Sequence, residues 1–169
     1  MKTATFLLAL AAASVVANAQ APRQISLFFD LNSVGAEQLT AARDNAIRFV
    51  EQQAAPMDSI AVMTYTSQLN VLQDFTADRN SVVAALRGIA PAPAAGVADA
   101  AARLKDLQAA IGALAPIPDK KMLVYFSSPG PRGADSPDLR DTVNAAIRGN
   151  IAIYSVNAGE PIGILPPPR

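Results

Sequence analysis

The sequence predicts an α/β fold: one doubly wound domain with a mostly parallel sheet, helices on both faces and one antiparallel edge strand. Three observations lead there. Short, almost wholly apolar runs of strand length recur along the chain, as strands buried on both faces require. Most are separated by amphipathic stretches of helical period, which serve as crossovers between parallel strands. The 169 residues fit one domain, and at 51% hydrophobic and 17% charged the chain is neither disordered nor highly solvated.

The elements follow in order. Ile25 to Asp30 (ISLFFD) is an apolar run that stops abruptly on an acid, as a buried central strand does. A helix is predicted from Ala36 to Gln53, with Leu39, Ala42, Ala46, Ile47 and Val50 on its inner face, and Pro56-Met57-Asp58 breaks it. Ile60 to Thr66 is a second strand. Leu69 to Phe75 follows too closely for a crossover and is read as an antiparallel edge strand. Thr76 or Asp78 caps the next helix, which turns Val82, Val83, Leu86 and Ile89 inward and stops near Gly88. After the Pro/Ala loop at 90–95, a helix is expected over 97–115 with Val97, Ala101, Leu104, Ile111 and Leu114 as its stripe. Met122 to Phe126 is another apolar strand, entered through Lys120-Lys121, which read as solvated, and left by a loop over 127–135. Ser136-Pro137-Asp138 is a strong helix start. That helix should bury Leu139, Val143 and Ile147 and end at Gly149-Asn150, before a last strand from Ile151 to Val156.

Composition excludes much chemistry. The chain has no His, no Cys and no Trp. Ser-His-Asp triads, thiol catalysis, disulfides and His- or Cys-ligated zinc are therefore absent. With 14 basic against 14 acidic residues there is no electrostatic reason to bind nucleic acid. Met1-Lys2-Thr3, the weakly polar to apolar run Ala4 to Val16 and the small residues of Ala17-Asn18-Ala19 form the three-part secretory pattern. The expectation is a signal peptide over 1–19, cleaved before Gln20, a domain over 20–158 and a Pro-rich, poorly packed tail over 159–169. The apolar run is too short to span a bilayer. Removal of the leader leaves no membrane span, and the destination is secreted or periplasmic.

In such sheets the ligand crevice lies at the carboxyl ends of the strands. Asp30, Asn32 and Ser33 sit at one such end, Ser127 and Ser128 at another, and these five are the candidate binding residues. Here the chain resembles a von Willebrand factor type A domain, closest to a secreted bacterial group of that family. The resemblance runs from Ile25 to about Asn157 and includes IAVMTYTSQLNVLQDFTADR over 60–79, KKMLVYFSS over 120–128 and IAIYSVNA over 151–158. It implies a protein-binding or adhesion-type domain without enzymatic activity, and a metal-ion-dependent adhesion site built from Asp-x-Ser-x-Ser, a Thr and a second Asp. Asp30 stands where the first Asp does. Asn32 and Val34 replace the two Ser, and Ser128 stands in place of the second Asp. If Gly96-Val97 matches the family's Gly-Thr, Val97 has replaced the Thr ligand. The site is degenerate. No metal and no cofactor is expected, and any residual weak Mg²⁺ site would rest on Asp30, Asn32 and Ser128.

Enzyme readings fare worse. A strand ending in Asp is shared with haloacid-dehalogenase-type phosphohydrolases, the alternative function. Their acid/base Asp is here Asn32, and Lys120 or Lys121 with Asp135 or Asp138 are poorly spaced for the rest. No Gly-x-Gly-x-x-Gly follows the first strand. Hydrolysis by a carboxylate pair needs two converging acids, whereas Asp and Glu fall mostly on helix surfaces. The family's sheet usually has a sixth strand, and only Asn157 to Arg169 follow the fifth here. The strand at Ile151 to Val156 is therefore expected at a sheet edge, covered by the tail or pairing with another chain, a second copy included. The partner is expected to be a protein.

Overall fold

The computed structural model describes residues 22–92, 99–128 and 136–163. Within them the chain forms β1 (Gln24–Asp30), α1 (Ala36–Gln52), β2 (Ser59–Tyr65), β3 (Leu69–Thr76), α2 (Arg79–Arg87), α3 (Ala100–Leu114), β4 (Lys121–Ser127), α4 (Pro137–Arg148) and β5 (Ile151–Asn157). The strands make one five-stranded sheet in the order β3-β2-β1-β4-β5. All neighbours are parallel except β2 and β3, as the short link between them predicted. The leader, the Val97 position and the tail beyond Gly163 lie outside the described residues.

The double winding has a simple cause. From β1 the chain steps one way along the sheet to β2, and from β4 it steps the other way to β5. Crossovers of one hand must then lie on opposite faces. One core accordingly holds Ile25, Leu27 and Phe29 of β1 against α1 and α2, including Leu39, Phe49, Val82 and Leu86. The other holds Phe28 and Leu123 against Leu107, Ile111 and Leu114 of α3 and Ala146 of α4. Phe29 and Phe126 stack on the first face with centroids 4.4 Å apart.

Caps fall largely where residue chemistry places them. Asp78, rather than Thr76, caps α2 by accepting from the Asn80 amide at 3.0 Å. Asp99 accepts from the Ala102 amide at 2.8 Å and starts α3 at Ala100. Ser136 accepts from Leu139 N with Pro137 in the first turn of α4. Asn150, at φ 53°, makes the left-handed turn that reverses α4 into β5.

Four packing expectations are corrected. The stripe of α3 runs through Asp106, Leu107, Ala110, Ile111 and Leu114, leaving Ala101 exposed and Leu104 only half-buried. In α4, Thr142 and Ala146 are buried, whereas Leu139, Val143 and Ile147 are 36%, 46% and 69% exposed. Both helices cover the second face, where α3 supplies the large side chains Leu107, Ile111 and Leu114 and α4 turns the smaller Thr142 and Ala146 inward. Lys121 is not solvated. It is 1% exposed, with Nζ donating to the carbonyls of Ile117 and Asp119, the latter at 3.0 Å, while burial pushes its ammonium below the usual lysine range. The start of the tail is also packed: Ile162 joins the first core, and Glu160 O accepts from Asn45 Nδ2 at 2.8 Å.

Candidate functional site

Between β1 and β4 the chain's connections diverge, and the crevice expected at such a switch point lies beyond Asp30 and Ser127. Alternation along β1 puts Ser26, Phe28 and Asp30 on the face covered by α3. Tyr125 of β4 stacks on Phe28, centroids 5.5 Å apart and planes 17° from parallel. That stacking aims its hydroxyl along the strand, where it donates to Asp30 Oδ2 at 2.9 Å.

Asp30 Oδ1 accepts the backbone amides of Asn32 and Ser33 at 3.1 and 3.3 Å. A carboxylate that captures amides two and three residues on folds the chain over itself. Asp30 is consequently 0% exposed. Ser33, also buried, donates its hydroxyl to Asp30 O at 3.1 Å. Asn32 Nδ2 bridges outward to Thr66 O at 2.6 Å and to Asp106 Oδ2 at 2.9 Å. Ser128 closes the other wall. Its amide donates to Ser33 Oγ at 3.4 Å, its hydroxyl donates to Gln38 Oε1, and its carbonyl accepts from Arg103 Nη1 at 2.7 Å.

Asp30, Asn32, Ser33 and Ser128 are thus joined by direct hydrogen bonds. Ser127 lies beside them, half-buried, with its carbonyl accepting the Ala158 amide at 3.0 Å. The sequence reading missed Asp106, Tyr125, Gln38 and Arg103. It also placed the acids on helix surfaces, whereas Asp106 is 4% exposed and converges on Asp30, the two carboxyl groups within hydrogen-bonding reach. Burial pushes the Asp106 carboxyl up to about 6, and the neighbouring Asp30 charge adds to this against the opposing Asn32 amide. Burial likewise raises the Tyr125 hydroxyl, followed by the Asp30 charge. A signal for Asp106 existed in the sequence: it shares the line of Ala110 and Leu114, visible once the stripe is drawn through Leu107.

The family resemblance implies a divalent cation, and the donors can be tested against it. A hard cation needs carboxylate or hydroxyl oxygens free to face it. Asp30 has no exposed surface, its carboxylate already accepts protein N–H and O–H groups, and Ser33 and Ser128 donate inside the protein. This donor set does not fit a resident Mg²⁺. Among the described residues no group of three or more His, Cys, Asp or Glu is placed to hold a metal.

No family model matches the chain, and no curated protein matches its sequence. Solved structures do match in fold. Conserved hypothetical protein BatB from Bacteroides thetaiotaomicron aligns with 80% of this chain and 66% of its own, at 15% identity and TM-score 0.58. An aerotolerance-related membrane protein from Bacteroides fragilis NCTC 9343, with multiple mutations to serines, aligns with 80% of this chain and 67% of its own, at 15% identity and TM-score 0.55. Proximal thread matrix protein 1 from the mussel byssus aligns over 80% of this chain and 38% of its own, at 12% identity and TM-score 0.56. The chain spans about two thirds of the length of the two bacterial proteins. At such identities the likeness is one of fold, and that fold is von Willebrand factor A-like.

Proposed function

We propose that the chain is an exported, non-enzymatic interaction domain that binds a protein partner through the carboxyl-end face of its sheet. Residues 1–19 serve as the export signal, and residues 20–158 carry the binding domain. Among the described residues no helix is long and apolar enough to cross a membrane. The observation that carries the reading is the internal use of Asp30. With its carboxylate sealed beneath Asn32, Ser33 and Tyr125, it is neither an accessible nucleophile nor an open metal ligand. What the face offers a partner is the half-buried rim of Asn32, Ser127 and Ser128. The phosphohydrolase alternative, which needs an attacking carboxylate, draws no support from this geometry.

The test compares a photo-crosslinking residue at Ser128 with one at Met57, which is exposed on the connection at the amino ends of the strands. Each protein is expressed in a host that exports it, and crosslinked partners are identified. Capture of one protein through position 128 alone supports the proposal. Equal capture at both positions, or turnover of a generic phosphate ester by purified protein, overturns it.

A further inference from the structure

We infer that the cleft between α1 and α2 binds a phosphate ester whose carrier bears hydroxyl groups, such as a sugar phosphate or a phosphoglycerol unit. The chain as a whole is balanced, with 14 basic and 14 acidic residues. The cleft is not. It holds about 500 Å³ and is lined by Arg43, Asp44, Ile47 and Arg48 of α1 and by Arg87 of α2. Three guanidinium groups therefore share one carboxylate, in a space of the size that small-molecule sites occupy.

Among the described residues none of these three arginines is ion-paired. Arginines that hold the fold are used more fully: Arg23 grips both carboxylate oxygens of Asp58, and Arg79 donates to the carbonyls of Asp58 and Ala55. In the cleft, Arg43 Nη1 donates to Ile89 O at 2.9 Å, and Arg48 donates to Asn45 Oδ1 rather than to Asp44 one turn away. Arg87 is exposed and donates to no described residue. Most of the five N–H donors on each guanidinium are left over. The Arg43 contact also fixes the walls, since Ile89 lies just beyond α2 and ties the Arg87 end of that helix to α1. The negative end of α2 accounts for one cation beside it, not for three.

The five side chains define the ligand by what each can do. A phosphate ester carries roughly one to two negative charges and several acceptor oxygens, which matches the surplus of guanidinium groups and their forked donors. Asp44 only accepts hydrogen bonds and repels the phosphate, so it selects a hydroxyl donor next to that group. Ile47 offers apolar surface to the carbon skeleton of the carrier. Bare phosphate would satisfy the arginines and leave Asp44 opposed. A free sugar phosphate and the headgroup of a phosphoglycerol lipid share the required chemistry.

The test titrates the full, isotope-labelled chain with glycerol 3-phosphate and with inorganic phosphate at fixed ionic strength, following backbone amides by NMR. The amides of residues 43–48 and 87–89 should shift saturably, with glycerol 3-phosphate bound more tightly. Arg87→Gln and Arg48→Gln, both at exposed positions, should each weaken binding at least about tenfold with circular dichroism unchanged. Arg148→Gln removes the same charge from α4, on the other face of the sheet, and should leave binding unchanged. Asp44→Asn should tighten inorganic phosphate about threefold and narrow the preference for glycerol 3-phosphate, which no purely structural role of the arginines would do. Sedimentation with phosphatidylglycerol vesicles, against phosphatidylcholine vesicles, separates the sources: Arg87-dependent binding to the former alone, without the soluble ester, assigns the site to a lipid headgroup. No saturable binding of either ester overturns the inference. So does an equal loss with Arg148→Gln, or a preference that Asp44→Asn leaves unchanged.

Discussion

Two buried acids behave in opposite ways, and their neighbours explain why. Asp58, between α1 and β2, accepts from Arg23 Nε at 3.0 and 3.1 Å and from the Ala55 amide at 2.8 Å. Burial alone would raise its carboxyl, but Arg23 and Ala55 outweigh burial and hold it below the usual range. Its contribution to stability is present above pH 3.8 and is lost as pH falls through the lowered value. Arg23→Ala should cost about 3–5 kcal/mol in denaturant unfolding at pH 7, because it leaves a buried charge without its partner. At Asp106 burial outweighs the Asn32 amide, and the Asp30 charge adds to it. Raised from 3.8 to about 6, it holds a proton in the folded state that the unfolded chain has released. Stability should therefore fall as pH rises through that window. Asp106→Asn keeps an acceptor for Asn32, removes this slope and should stabilise the protein at pH 8 by on the order of 1–3 kcal/mol. Chemical denaturation of both proteins at pH 4.5 and pH 8 checks the sign. Equal slopes would refute it.

At the scale of elements, α4 separates periodicity from burial. Its sequence carries a clear apolar stripe, and burial runs along the neighbouring line of Thr142 and Ala146. Ala146→Glu should destabilise the monomer by about 3 kcal/mol or more, through a charge placed against the second core. Ile147→Glu, at a position 69% exposed, should change monomer stability by no more than about 0.5 kcal/mol. Thermal melts at a concentration low enough to dissociate any dimer distinguish the two. The turn after α4 gives a further prediction. Asn150 sits at φ 53°, where Gly is relaxed and a β-branched residue is strained. Asn150→Val should cost about 1–2 kcal/mol, whereas Asn150→Gly should be nearly neutral.

For the whole molecule, the interlocked crevice bears on metal dependence. A site saturated a hundredfold above its dissociation constant would add about 2.7 kcal/mol of stability. In a domain of this size that is a shift of several degrees. Because the Asp30 carboxylate is engaged by Tyr125 and two loop amides, the expected outcome is no such shift on replacing chelator with excess Mg²⁺, Mn²⁺ or Ca²⁺. A shift abolished by Asp30→Ala would show that the loop opens to admit a cation.

Alternation, helical period and capping chemistry are local properties. They determined the nine elements, the antiparallel position of β3 and the presence of Asp30, Asn32, Ser33 and Ser128 at one end of the sheet. Only the tertiary structure decided which flank of α3 and α4 turns inward, because that depends on the space left above the neighbouring strands. It brought Asp106, 76 positions along the chain from Asp30, against it, and it chose Tyr125 as the hydroxyl that satisfies Asp30. It also drew Lys121 and Ile162 inside. No period or spacing in one segment specifies the burial of a group by another, since desolvation is set by whatever packs above it.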